Sequence, residues 1–288
     1  MKQSTFVVIA AISLAVIALV LFIILSSLDT QSESEQTMTE ENQTATTTDN
    51  ALDVPLITIA PNVSLAPIAH ASAVLEWGEQ LIYVDPVGDP SQYRAYGDPD
   101  LIFITHRHSD HFDAENLPGM MTENTILVTN QDVADQLPDG LLGTVQVIAP
   151  EETATFGPLT LNTIPAYNLR EEAQQYHPRE RGDLGLVFSD GTSRIYFSGD
   201  SEDTPEMRAL EDIDVAFVAM NLPYTMDVDA AAEGVLAFAP ATVYPYHFRT
   251  PDGFSDIDRF KTLVEEGNAD ITVMMLDWYS DEDEEKEG

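Results

Sequence analysis

The chain has 288 residues, 44% of them apolar, enough for one large domain or two small ones with a sizeable core. Fifty acidic residues stand against 12 basic ones, and a formal charge of −38 repels phosphate backbones and anionic membrane surfaces, so nucleic acid is not an expected partner. With no cysteine, disulfides, thiolate metal ligands and a cysteine nucleophile are excluded.

In chain order, the first element is an apolar run, Phe6 to Leu25, interrupted only by Ser13. Twenty helical residues span ~30 Å, the thickness of a bilayer core. Lys2 precedes the run, and Asp29, Glu33 and Glu35 follow it, an asymmetry that puts the N-terminus inside. No small-x-small cleavage site follows Leu25. Residues 1–27 are therefore expected to be a transmembrane anchor that leaves the body extracytoplasmic. Residues 28–53 are rich in Ser, Thr, Gln and acids and are expected to be a disordered linker. Residues 54–279 form the expected folded body, and residues 280–288 an acidic tail.

The body alternates strand-like and helix-like segments. Pro55–Ala60, Ala73–Trp77 and Gln80–Val84 are expected as a first set of strands. Leu101–Thr105 (LIFIT) is a short apolar run suited to a strand buried on both faces. Thr125–Thr129 and Val145–Ala149 read as strands around a helical stretch near Gln131–Gln136. Leu159–Ile164, Gly185–Phe188 and Arg194–Phe197 follow, the last two joined at Asp190-Gly191, a hairpin signal. Val215–Ala219, Thr242–Tyr246 and Ile271–Leu276 are expected as strands, with helices at Val228–Phe238 and Ile257–Glu266. The pattern predicts a layered α/β body. No internal repeat is visible, and the charge suits a saline habitat, where salt screens self-repulsion.

Three of the six histidines fall within six residues, His106-Arg107-His108-Ser109-Asp110-His111, directly after the LIFIT strand. In an extended segment residues i and i+2 face one way, so His106 and His108 can reach one cation. A turn capped by Ser109 or Asp110 can aim Asp110 and His111 at a second. Imidazole and carboxylate ligands suit zinc, and also manganese or iron. Asp200 and His247 each follow a short apolar strand, Arg194–Phe197 and Thr242–Tyr246, as His106 does.

The HxHxDH element, the Gly199-Asp200 element and the final Pro245-Tyr-His247 together resemble the metallo-β-lactamase superfamily. His70-Ala-Ser, Ile82-Tyr-Val-Asp-Pro86, Pro165-Ala-Tyr-Asn168, Tyr196-Phe-Ser-Gly-Asp200 with Pro205-Glu-Met207 behind it, and Tyr224-Thr-Met226 resemble a branch of lactonase-like and phospholipase-D-like hydrolases. The resemblance implies a four-layer αββα sandwich with two divalent metal ions at one edge. It implies that His106 and His108 bind the first metal, that Asp110, His111 and His247 bind the second, and that Asp200 bridges them. The superfamily's third histidine for the first metal falls at Asn168 here. Either the nearby His177, which is favoured, or Asn168 completes that site. His70 is expected to contact a ligand or substrate, Asp85 to hydrogen-bond a metal-binding histidine, Tyr224 to line the pocket and Arg107 to make a surface contact. The implied activity is hydrolysis of an ester, lactone or phosphodiester, small or lipid-like, by a metal-activated water that Asp110 orients and deprotonates. A binding protein that has lost catalysis is the alternative.

Overall fold

The computed structural model describes residues 55–279. The expected anchor, linker and tail lie outside the described residues, among which no helix is long and apolar enough to cross a membrane.

Two seven-stranded mixed sheets form the body. The first takes its strands in chain order: β1 (Ile57–Ala60), β2 (Val63–Ala69), β3 (Ser72–Trp77), β4 (Gln80–Val84), β5 (Leu101–Ile104), β6 (Ile126–Thr129) and β7 (Thr144–Val147). β1 to β4 are an antiparallel meander, and β4 to β7 run parallel. The second sheet repeats the plan. β8 (Thr153–Phe156), β9 (Leu159–Ala166), β10 (Asp183–Ser189) and β11 (Arg194–Phe197) are antiparallel neighbours. β12 (Val215–Ala219), β13 (Thr242–Tyr246) and β16 (Thr272–Val273) then continue in parallel. The duplication is one of topology, carried by alternation and turn positions. It leaves no sequence repeat because many apolar residues fill the same strand slot. A small hairpin, β14 (Arg249–Thr250) with β15 (Gly253–Phe254), stands apart.

Parallel crossovers need helices to return the chain, and they supply the outer layers. Three short helices, α1 (Pro90–Arg94), α2 (Leu117–Met120) and α3 (Gln131–Ala134), cover one face of the first sheet. Tyr93, Leu117, Met120 and Val133 from them pack on Val74, Tyr83, Ile102 and Leu127. Against the second sheet lie α4 (Pro205–Arg208), α5 (Val228–Phe238) and α6 (Ile257–Gly267). In α5, Ala231, Ala232, Val235 and Phe238 are buried, the one-sided spacing of a 3.6-residue period. Asp227 and Asp256 cap α5 and α6 by accepting from Ala230 N and Arg259 N.

The two sheets face each other across an aromatic core. Phe103 of the first sheet meets Phe188 of the second at 4.8 Å between ring centroids and Phe156 at 5.8 Å. Phe197 stacks on Phe217, and Phe217 on Tyr244. Helix, sheet, sheet, helix is thus the order of packing.

Two strands depart from the sequence reading. β2 contains Pro67, which argues against a strand, yet a register shift between Pro67 and Ala69 absorbs the missing donor. β8, Thr-Ala-Thr-Phe, is polar and buries only Phe156 fully, so it carries no apolar run to find. The segments expected at Val145–Ala149 and Ile271–Leu276 are shorter, at β7 and β16, because only those residues pair.

Candidate metal centre

Most of the singled-out histidines and aspartates lie at or just beyond the carboxyl end of a strand, along one edge of the two sheets, and His177 reaches them from the loop between β9 and β10. Asp85 follows β4, His106 follows β5, Asp200 follows β11 and His247 follows β13. Adjacent parallel strands in matched register deliver them side by side, as Phe197 pairs with Phe217 and Ala219 with Tyr246. Two backbone hydrogen bonds join the halves here, Leu184 N to Thr105 O at 3.2 Å and His247 N to His70 O at 3.2 Å. The chain reverses sharply at this edge, and His70, Asp85, Gly199 and His247 all have positive φ. Gly199 is needed, because a Cβ there would lie 2.6 Å from Leu184 O. The strained φ of the three other residues is held by their surroundings, as is common at functional sites.

The side chains form two groups. His106, His108, His177 and Asp200 make one, and Asp110, His111 and His247 the other; within each, one ligand atom per residue lies within 4.8 Å of the rest. Asp200 stands between them. Its Oδ1 is 3.2 Å from His111 Nε2 and 3.3 Å from His247 Nε2, while its Oδ2 is 3.3 Å from His177 Nε2. Asp110 Oδ2 is 3.2 Å from His247 Nε2. At 42% exposed, the Asp110 side chain is the group that opens the centre to solvent.

The surroundings fix which nitrogen of each histidine faces inward. His111 Nδ1 donates to Asp85 Oδ2 at 2.7 Å. His106 Nδ1 is 3.1 Å from Thr105 Oγ1, which donates to Asp85 Oδ2 at 2.7 Å; Asp85 Oδ1 accepts from Thr105 N. His177 Nδ1 lies 3.3 Å from Asp183 Oδ2 and 3.0 Å from Arg181 Nη2. Nε2 of all three rings is therefore turned inward, where it can serve as a metal ligand once deprotonated. Nε2 of His111, Nε2 of His177 and Oδ1 of Asp200 are buried without a hydrogen bond among the described residues. Such convergent buried polar atoms without partners are costly, and deprotonated imidazoles beside a carboxylate are what a cation would satisfy, so this ligand set fits metal ions.

The electrostatics agree. Burial would raise the Asp200 pKa, but His247 and His111 outweigh it and hold the carboxyl well below the usual range. Burial would lower His111, yet Asp200, Asp85 and Asp110 carry it well above its ordinary value. His247 is pushed up to about 9, with Asp200 and the Asp110 hydrogen bond overcoming burial. His106 goes the other way, driven well down by burial and then by His111. His177 of the first group is raised as well, its Asp183 and Asp200 contacts overcoming burial.

His177 sits in the first group. Asn168 braces the loop that carries it. Its backbone N donates to His177 O at 2.9 Å, and its Nδ2 donates to Ala173 O and Tyr224 O. It thereby closes the loop that delivers His177. A defective first site, the ground for a protein without catalysis, is not what the geometry shows. His70 lies against His247, centroids 5.6 Å apart, and Tyr279 at 5.0 Å; burial and then His247 lower its pKa to about 4. Tyr224 is at the rim, 38% exposed, its ring on Tyr176. Arg107 pairs with Asp132 at the surface.

Sequence reasoning missed Asp183, Arg181, Asn221 and Glu202. Arg181 pairs with Asp183 and reaches His108 Nε2 at 3.0 Å. Asn221 Nδ2 is 3.4 Å from His247 Nε2. Buried Glu202 accepts from Leu169 N, Arg170 N and Arg170 Nε, while Arg170 Nη2 donates to Thr225 O at 2.6 Å. That network ties the loop after β9 to the loop after β12. Arg181-Gly-Asp183, at the start of β10, is a sequence signal that could have pointed to two of them.

Residues 64–247 match the model of the beta-lactamase superfamily domain. A UPF0173 metal-dependent hydrolase of Thermoplasma acidophilum is 31% identical over 177 residues, 58% of this chain and 73% of that protein. One from Pyrococcus abyssi is 28% identical over 213 residues, 68% of this chain and 90% of its own length. Among solved structures, a candidate metal-dependent hydrolase from Parabacteroides distasonis superposes with a TM-score of 0.64 at 32% identity, covering 75% of this chain and 94% of that one. A metallo hydrolase from Ignicoccus hospitalis shares the fold, with a TM-score of 0.63 at 21% identity over 76% of this chain and 96% of that one.

Proposed function

The chain belongs to the metallo-β-lactamase superfamily and, within it, to the UPF0173 metal-dependent hydrolases; from that premise we propose that it cleaves an ester, lactone or phosphodiester, a lactone or lipid-like ester first, at a dinuclear zinc centre. It is a metal-dependent hydrolase, and its two His/Asp clusters bind metal ions. The observation that carries the proposal is Asp200, whose two carboxylate oxygens face different clusters.

His106, His108 and His177 would hold one ion, Asp110, His111 and His247 the other, and Asp200 both. Cations bound there supply Lewis acidity and water of lowered pKa. The protein's own part is positional. Asp85 and Thr105 lock His106 and His111, and Asp183 locks His177, so each ring presents Nε2 without rotating. Asp110, at the solvent side, orients a water and accepts its proton. Its pKa is held low because His111 and the His247 hydrogen bond outweigh burial, so it enters the reaction ionised. Manganese or iron suits the same ligands less distinctively than zinc.

The body is proposed to sit outside the membrane on the residue 1–27 anchor. Protease added outside intact cells should then release it, and spontaneous recovery of a soluble form starting near Ser27 would contradict the anchor. The deciding experiment on function is metal analysis of the purified full chain followed by a panel of chromogenic esters, lactones and phosphodiesters. About two metal equivalents with turnover of an ester or lactone are expected; full metal loading with no turnover anywhere in the panel would sink the substrate reading.

A further inference from the structure

A groove of about 660 Å³ lies beside the metal centre, within the size range of small-molecule sites. Two of the elements that build the centre also build the groove. Asn221, which points its amide at His247, is followed at once by Leu222 and Pro223 on the groove wall. The chain leaving His247 runs into β14 and reaches the opposite wall at Thr250 and Pro251. The loop Asn221–Thr225 is also held by Arg170, so the wall is anchored to the same clamp that fixes the loop bearing His177.

The lining has a distinct chemistry. Leu222, Pro223, Val228 and Pro251 make it apolar, and Leu222 is 37% exposed although it is a large hydrophobe. Its rim is acidic, with Asp227, Asp229 and Asp252 against one cation, Arg259. Arg259 pairs with Asp229 at 2.6 Å and also feels Asp227, so one cation faces three carboxylates along the rim. Apolar walls favour a hydrocarbon arm, and an uncompensated acidic rim disfavours a group that carries negative charge through the reaction.

We propose that this groove binds the apolar arm of an uncharged carboxylic ester or lactone, and that its acidic rim rejects phosphodiesters. This rests on the ester-or-lactone reading above and narrows it. Asn221, one residue from the groove wall and 3.4 Å from His247, links the groove to the centre.

The test is equilibrium binding of non-hydrolysable straight-chain amides of increasing length to the metal-loaded full chain, with kinetics on matched esters and phosphodiesters. Affinity should rise roughly two- to fourfold per added methylene, the gain for hydrocarbon that is partly to fully buried. Leu222→Asn, at an exposed position, should flatten that dependence while metal content stays unchanged. Asp252→Lys should improve kcat/KM for the phosphodiester relative to the ester by roughly tenfold, as expected for reversing one nearby charge. Affinity independent of chain length in the native protein, or a phosphodiester preferred over its matched ester, would overturn the proposal. Because binding is read without turnover, the two claims separate: chain-length dependence without hydrolysis of any ester or lactone would defeat the substrate reading and leave the groove standing.

Discussion

At the scale of single residues, the centre depends most on Asp200, because its two carboxylate oxygens face different clusters. Asp200→Ala should therefore lose metal from both sites, measured as stoichiometry after dialysis, and retention of two equivalents would rule out a bridge. His177→Ala should lose one equivalent, or at least weaken one site by the roughly 10–100-fold typical of removing even a supporting partner. Asn168→Ala should keep both ions initially but loosen the loop it closes, and loss of a metal equivalent in that variant alone would reverse the assignment. Proton competition adds a further test. In the metal-free protein His247 titrates at about 9, so below that value it holds a proton that a cation must displace. Metal affinity at the second site should then rise with pH, by about tenfold per unit for each proton released, and level off once the ring is neutral. A flat profile between about pH 6 and about pH 8 would contradict the charge state derived for His247.

At the scale of elements, the question is how strands of four or five residues hold ligands to a few tenths of an ångström. The tight turns at their carboxyl ends do this. After β11 the chain passes through Gly199 at φ +58, packed on Leu184 O, before Asp200. Gly199→Ala should cost about 1–3 kcal/mol, the range for forcing a side chain into a left-handed, crowded position. It should also lower metal content, since relief of the clash moves Asp200; denaturation midpoints alongside metal analysis would show both effects. Asp85, after β4, holds Thr105 and His111 together. Asp85→Asn keeps its shape but removes the charge, and should weaken metal binding about 10–100-fold with little change in fold. An unaltered metal affinity would show that the ring of His111 is held by packing alone.

For the whole molecule, the strongest global property is charge. With 50 acids to 12 bases, the folded body concentrates like charge that the extended chain spreads out. Raising salt from about 0.1 M to about 1 M shortens the screening length from ~10 Å to ~3 Å, and should raise Tm by several degrees. Equal melting in both would mean that the ion pairs across the surface already balance the repulsion. The second global property is the duplicated topology. Each half is a four-stranded meander that turns into a parallel run, so both parallel runs end at the same edge. That is why one edge gathers side chains from β4, β5, β11 and β13.

Much of this was legible in the residues. His106, His108, Asp110 and His111 lie within six positions, and their spacing reflects local backbone geometry: an extended stretch, then a turn. Strands buried on both faces, such as Leu101–Ile104 and Val215–Ala219, announce themselves as unbroken apolar runs, and α5 by its one-sided period. The sequence by itself thus determined the layered α/β body and the metal-binding character of the chain, because both are written in contiguous residues. Three things were decided only by tertiary structure. The first is that His177 enters the first cluster, since a closed loop and not a strand end carries it there. The second is which ring each carboxylate holds: Asp85, expected to bond a metal-binding histidine, bonds His111 from another strand end, and Asp183 lies against His177. The third is the apolar groove with its acidic rim. Its walls come from the loop after β12 and the chain beyond β13, whose proximity depends on sheet register, a property no local stretch of sequence contains.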